Sequence, residues 1–376
     1  MILGVDASNV RAGGGLTHLR ELLAAAEPEA HGFDRVVVWG GRTTLDALSP
    51  RPWLDARHIA ALDRVLPARL AWQHVDLPVR ARLGCDVLFS PGGLALTPFR
   101  PRVLVSQNML PFEPEERARY GHSLARLRFE LLARGQAASF ASADGVIFLS
   151  DYARRVVSER LGAAPRRSAV IPHGIDARFC CRPRPPRAPG QPLEVLYVST
   201  VSPYKHQWNV VDAVGSLRAG GLPVSLRLVG GNDFAPSVER LRAAIARVDP
   251  GGLGVRYEGV LPFEGLHEAY HRADVFVFAS SCENLPNILI EAMASGLPIA
   301  CSDRGPMPEV LGEAGLYFDP ESPESIAHAL GRLISNPALR SQLAQAAFDR
   351  AAPYGWGRCA GETLSFIAAA RRGTHV

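Results

Sequence analysis

A chain of 376 residues exceeds the size at which one hydrophobic core keeps growing, so two domains are expected, and 47% hydrophobic content suits ordinary globular folding. A net charge of +4 with 7% aromatic residues, and no clustered basic face, argues against a nucleic-acid binder. The absence of any apolar run of about eighteen residues, an acidic Asp6 near the start, and six cysteines without C-x-x-C spacing argue against a membrane span, a signal peptide and a thiolate metal site, so a cytoplasmic protein with reduced thiols is expected.

Ile2–Asp6 reads as a strand, Ser8–Gly15 as a glycine loop, and a helix follows from about Thr17. Strand, glycine loop and helix in that order bring backbone close to a ligand. G-x-G-x-x-G is not matched, so a glycine-lined face of an interdomain cleft is expected here rather than a dinucleotide site. Further strands are predicted at 35–39, 87–90, 103–106, 145–150 and 169–172, with a helical, Arg-rich stretch at 114–138. This alternation implies a parallel sheet covered by helices. Ligand-facing residues then follow strand ends, at Gly92-Gly93, Gln107-Asn108 and Ser150-Asp151.

Cys180–Pro192 carries five prolines and a glycine and reads as an extended connector. The expected division is residues 1–180 as a first domain, 181–193 as linker, 194–355 as a second domain, and 356–376 as a helix packing back on the first. A second α/β series has strands at 195–198, 225–229, 255–259, 275–279, 298–301 and 315–318. Helices are expected near 206–218, 235–247, 263–271 and 323–334. Ala143–Ser150 and Ala273–Ser280 echo one another, as two similar nucleotide-type domains would.

The apolar strand 275–279 runs into Ser281–Gly296, with Glu283 on the connecting loop and Glu291 on a helix whose first residue is expected to be Pro286. Free N–H groups in that first turn suit a phosphate or a polarised sugar oxygen. Five helical residues rise roughly 7.5 Å, so the two carboxylates are either solvated surface charges or contacts to different parts of one extended ligand. Lys205 is the sole lysine, because forty of the forty-one basic residues are arginine. A lysine that persists against such a bias points to a task that needs a compact ammonium.

Glu283-x7-Glu291, Lys205 after the first strand of the second half, Val229-Gly230-Gly231, Tyr257-Glu258-Gly259, Ala273-Asp274 and Gly305–Val310, taken in order, resemble the donor-binding half of retaining glycosyltransferases of family 4. Ile171–Asp176 and the glycine loop extend the likeness weakly into the first half. The resemblance implies a GT-B fold: α/β, two Rossmann-like domains with parallel sheets facing an interdomain cleft. It implies a nucleotide-diphosphate sugar as donor, no cofactor and no metal, with Lys205 and the helix N-terminus stabilising the departing diphosphate. Glu291 takes the ribose hydroxyls and Glu283 the donor-sugar hydroxyls. Gly14, Gly15, Thr200, Gly230, Leu285, Pro286, Asn287 and Ile288 complete donor binding.

Two departures mark this chain. Thr200 stands where the family usually has arginine, so diphosphate binding rests more heavily on Lys205, with His206 or a remote arginine as helper. Asn108, beside Gln107, stands where many members have histidine; it positions by hydrogen bonds and cannot act as a base. The wording around Gln107–Phe112 and Arg304–Pro320 is most similar to surface-polysaccharide and O-antigen enzymes. The expected reaction moves a sugar, first mannose from GDP-mannose, to a saccharide or lipid-linked saccharide. The Arg-rich stretch offers peripheral contact with the inner face of the cytoplasmic membrane. The alternatives are a nucleotide-sugar epimerase drawing on His122 or His173, and a catalytically silent partner subunit.

Overall fold

The computed structural model describes residues 1–188 and 190–372. Pro189 of the expected linker and the last four residues of the expected C-terminal segment lie outside the described residues. The chain forms two compact units. One comprises Met1–Phe112, Ser123–Gly174 and the segment from Tyr354 onward; the other comprises Glu113–His122 and Ile175–Pro353.

The first unit is built on seven parallel strands, β1 (Ile2–Asp6), β2 (Arg35–Gly40), β3 (Leu54–His58), β4 (Val87–Ser90), β5 (Arg102–Val105), β6 (Gly145–Phe148) and β7 (Ser168–Val170), in the order β3-β2-β1-β4-β5-β6-β7. Val36, Val38, Leu88, Val103 and Leu104 are wholly buried, as strands covered on both faces require. β3 is absent from the sequence-based expectation because Asp55, Arg57 and His58 give it no apolar alternation; it is an edge strand held by its ladder to β2. The helix Trp356–Arg372 packs on the helix Gly13–Ala24 and on β4, β5 and β6.

Two expectations here are corrected. The glycine stretch is not a loop throughout: the helix begins at Gly13, so Gly14 and Gly15 form its first turn. The stretch 114–138 is not one helix. A short helix Pro114–Ala118 belongs to the second unit, Gly121 takes a left-handed φ of 58° that breaks the chain direction, and the helix Leu124–Ala141 starts afresh with Ser123 as its cap.

The second unit has six parallel strands, β8 (Leu193–Val198), β9 (Val224–Val229), β10 (Val255–Tyr257), β11 (Val275–Phe278), β12 (Ile299–Ser302) and β13 (Leu316–Phe318), ordered β10-β9-β8-β11-β12-β13. The strand order reverses at β8/β11, the position where doubly wound sheets open a ligand crevice beyond their carboxyl ends. In each sheet an aspartate ahead of one strand at the reversal accepts an N–H from the other. Ile2 donates to Asp86 at 2.7 Å and Glu194 donates to Asp274 at 2.9 Å. Asp86 is therefore the topological counterpart of Asp274. The aspartate singled out by the sequence echo, Asp144, repeats the same chemistry elsewhere, accepting from the N–H of Arg102 on β5 at 2.9 Å. Among the described residues no helix is long and apolar enough to cross a membrane.

Candidate donor site in the second unit

The loops after β8 and β11 are tied together. Thr200, Pro203, Tyr204, Lys205 and His206 follow β8; Ser280 to Glu283 follow β11. Ser281 donates its backbone N–H to the Tyr204 carbonyl at 2.9 Å, and His206 Nε2 lies 3.0 Å from Ser281 Oγ. Ser281 Oγ in turn donates to Glu116 Oε2 at 2.9 Å. His206 holds a left-handed φ of 50°, a conformation that costs a non-glycine residue energy and persists only when surroundings over-determine it. Burial and the nearby charge of Arg119 push its imidazole down to about 4, which keeps it neutral near pH 7.

Lys205 ends a short 3-10 turn, Pro203–Lys205, and its side chain is buried. Its ammonium forms an ion pair with Glu283 and lies over the rings of Tyr204, at 5.0 Å, and Phe278, at 5.3 Å. Tyr197 donates its hydroxyl to the Lys205 carbonyl at 2.5 Å, fixing the turn from below. Aromatic faces and a single carboxylate can hold a compact ammonium, whereas a guanidinium would need a wider, planar recess.

Glu291 is on the helix Asn287–Ala294 and does not join that pair. It accepts from the Tyr270 hydroxyl at 2.7 Å. Although it keeps a partly exposed edge, dense enclosure by protein raises its pKa to about 7; the Tyr270 hydrogen bond opposes that rise and the charge of Asp176 adds to it. Pro286 is the cap of this helix, with φ −79° and ψ 78°, and not its first residue, which is Asn287. Leu285 is buried, Asn287 and Ile288 are half-buried, and the helix opens directly after the Glu283 loop.

Gly230 directly follows β9 at a φ of 144°, and a Cβ there would lie 2.0 Å from the Ser199 carbonyl oxygen. Glycine at this point lets the end of β9 close against the Ser199–Thr200 backbone. The Thr200 carbonyl accepts from Gln207 Nε2 at 2.8 Å. Gly305 brings its backbone alongside Ser281 and Glu283. The second unit thus assembles Thr200, Lys205, Gly230, Glu283 and the start of the helix Asn287–Ala294 at the carboxyl ends of β8, β9 and β11.

Gly14, Gly15 and Asn108 lie in the first unit. Asn108 Oδ1 accepts from the Leu110 N–H at 3.1 Å, so half of its amide is spent on its own loop. Its neighbour Gln107 is the side chain that reaches the glycine turn. Gln107 Nε2 lies 2.6 Å from His18 Nδ1, and a Cβ on Gly15 would meet Gln107 Oε1 at 3.2 Å. The signal for this contact was His18 one helical turn beyond Gly15. Burial, then His173, hold the His18 imidazole well below the usual histidine range. His18 and His173 stack with ring centroids 4.3 Å apart, and Trp356 stacks on both. His173 is thus buried in a ring stack, while His122 is exposed in the second unit.

The comparisons agree with this geometry. Residues 192–336 match the Glycosyl transferases group 1 family. D-inositol 3-phosphate glycosyltransferase of Acidothermus cellulolyticus is 29% identical over 261 residues, covering 62% of this chain and 58% of that protein. O-antigen chain mannosyltransferase B of Escherichia coli is 31% identical over 111 residues, covering 30% of this chain and 29% of its own. The chain therefore spans between about a third and three-fifths of the length of these relatives. Anabaena HepE in complex with UDP-glucose superposes with a TM-score of 0.70 at 19% identity, covering 99% of each chain. The chain accordingly has the GT-B fold, and its second unit carries a domain of the Glycosyl transferases group 1 family.

Proposed function

We propose that this chain is a retaining, metal-independent glycosyltransferase that moves a sugar from a nucleoside-diphosphate donor to a saccharide or lipid-linked saccharide in surface-polysaccharide assembly. The observation that carries the reading is the Lys205–Glu283 ion pair at the strand-order reversal of the second sheet. Before the donor arrives, Glu283 neutralises the ammonium. Two anionic phosphates then compete for Lys205, which frees Glu283 to accept hydrogen bonds from donor-sugar hydroxyls. Charge-assisted contacts of this type contribute about 1.5–3 kcal/mol each. Lys205 and the positive end of the helix Asn287–Ala294 stabilise the charge that grows on the departing diphosphate. Glu291 accepts from the ribose hydroxyls.

No carboxylate is assigned as base. The acceptor oxygen attacks the anomeric carbon on the leaving-group face, the bond to the diphosphate oxygen breaks, and the acceptor's proton passes to that departing oxygen. The anomeric configuration is retained. Mannose carried on GDP is the first donor to test, supported by the mannosyltransferase relative; UDP-glucose, bound in the similar Anabaena structure, is its main competitor. Peripheral attachment to the inner face of the cytoplasmic membrane is part of the proposal. Leu124, Leu127 and Leu131 line one exposed face of a helix that also carries Arg126, Arg128 and Arg134.

A thermal-shift panel of UDP-, GDP- and dTDP-sugars tests the reading. The true donor at a hundred times its dissociation constant adds about 2.7 kcal/mol of stability. Stabilisation by none of them would remove the donor site; interconversion of donors without acceptor would make the protein an epimerase. Proton NMR of the product's anomeric coupling checks retention.

A further inference from the structure

Beside His206 the second unit holds a cavity of about 400 Å³, near the lower end of the range for small-molecule sites, about 300–1,000 Å³. It lies where two helices begin, Gln207–Ala219 and Ala235–Val248, and neither has a side-chain cap on its first turn. Trp208 and Asn209 enter the lining from one first turn, Pro236 and Ser237 from the other. Ring contacts fix the walls. The Arg240 guanidinium lies over the Trp208 ring at 4.2 Å, the His206 ring meets Trp208 edge-on at 5.9 Å, and Phe234 meets Tyr120 edge-on at 5.2 Å.

The polar groups of this cavity are unequally used. Arg119 is committed: its Nε donates to Glu116 Oε2 at 2.8 Å and its Nη1 to Glu321 Oε2 at 3.2 Å. Arg240 lies on Trp208 with no acid paired to it among the described residues. Ser237 is 5% exposed and His206 2%, and among the described residues neither Ser237 Oγ nor His206 Nδ1 has a hydrogen-bond partner, yet neither atom is sealed from solvent. The His206 tautomer follows from its other nitrogen. Ser281 Oγ gives its one proton to the Glu116 carboxylate, so His206 Nε2 is the donor in its 3.0 Å contact with Ser281. Nδ1 is then a lone-pair acceptor that awaits a donor.

We propose that this cavity binds a carboxylated sugar, with its carboxylate on Arg240 and hydroxyls on His206 Nδ1 and Ser237 Oγ. A guanidinium without an acid presents parallel N–H donors that match one carboxylate, and the positive ends of the two helices add to its pull. A phosphate dianion fits less well, because its second charge would face Glu321 with Arg119 already committed to acids. A sugar hydroxyl supplies the donor that Nδ1 lacks, and Phe234 and Pro236 offer apolar wall to a pyranose ring. A hydroxyl donating to Nδ1 favours the same tautomer that holds Ser281, so the cavity adjoins the donor loops without sharing Lys205 or Glu283. The inference does not depend on the transferase reading.

The test is titration of the full chain with galacturonate, glucuronate, digalacturonate, galactose and galactose 6-phosphate, followed by calorimetry and by tryptophan fluorescence. Binding of a uronate, weakened roughly tenfold or more by Arg240→Gln and roughly threefold by Ser237→Ala, supports the site. Arg247→Gln, on the same helix but paired with Asp212, should leave it unchanged. Trp208→Phe should abolish the fluorescence change while calorimetric binding persists, which places the ligand in this cavity. Tighter binding of digalacturonate than of galacturonate identifies a unit of a longer chain; equal binding identifies a free sugar acid. The proposal is overturned if no uronate binds better than galactose, if galactose 6-phosphate binds better than the uronates, or if Arg247→Gln weakens binding as much as Arg240→Gln. Retention of the fluorescence change in Trp208→Phe would also overturn it. Nucleotide binding to Arg240→Gln should match that of the wild type, so failure of this cavity and failure of the donor site give different results.

Discussion

Lys205 and Glu283, 78 residues apart in the chain, meet as an ion pair whose ammonium lies over the rings of Tyr204 and Phe278. The side chains retain 6% and 16% of their exposure, so each charge depends on the other for its solvation. Removing one partner of such a pair leaves a buried charge uncompensated. Lys205→Met should therefore cost about 3–5 kcal/mol in ligand-free chemical denaturation, and adding Glu283→Gln should recover most of it. Equal stability of the single and double variants would contradict the coupling.

Glu291 links stability and binding to pH. Its carboxyl is raised from 4.5 to about 7 in the folded chain, so the folded state holds a proton that the unfolded state releases between those values. The stability from this group is fully present below about pH 4.5 and is lost as pH rises through about 7. If Glu291 accepts from ribose hydroxyls, nucleotide affinity should climb over the same range as the carboxylate forms. Titrations with UDP and GDP at about pH 6 and pH 8 should show that rise in the wild type and a flat response in Glu291→Gln. A 2′-deoxynucleotide should show less of it.

Tyr270→Phe keeps the ring stacked on Phe276, whose centroid is 5.6 Å away, and removes only the hydroxyl that donates to Glu291. That hydrogen bond lowers the Glu291 pKa, so its loss should move the midpoint of the pH-dependent binding upward. A midpoint that stays or falls would break the assignment of the pH response to this pair.

Gly230→Ala places a Cβ against the Ser199 carbonyl and asks alanine to adopt a φ of 144°. The backbone strain alone costs about 1–3 kcal/mol, and relief requires the Ser199–Thr200 loop to move. Denaturation should show at least that loss. Any nucleotide that stabilises the wild type should stabilise this variant less, because the loop leading to Lys205 is displaced.

The two parallel sheets were legible because buried parallel strands are written as short apolar runs, and Val275–Phe278 and Val36–Trp39 are rich in the β-branched and aromatic residues that favour strand over a buried helical turn. β3 was illegible because an edge strand needs a ladder more than it needs apolar residues. The start of the first helix was misplaced because three consecutive glycines carry poor helical propensity, yet the first turn of a helix tolerates them. Glu283, Glu291 and Lys205 stood out by spacing and by rarity. Their partners did not, since Tyr270, His206 and Ser281 are ordinary residues until packing assigns each a neighbour.

What the amino-acid order determined by itself was the series of strands, helices and breaks, because local periodicity and glycine or proline chemistry act within a few residues. It also singled out a lysine and two glutamates as chemically costly to keep. Only the tertiary structure decided that Glu283, and not Glu291, pairs with Lys205, that Glu291 turns instead to Tyr270, and that Gln107 rather than Asn108 meets the glycine turn. Each of those outcomes depends on which loops the strand order brings side by side. Strand order is set by packing between segments distant in the chain, which no local pattern encodes.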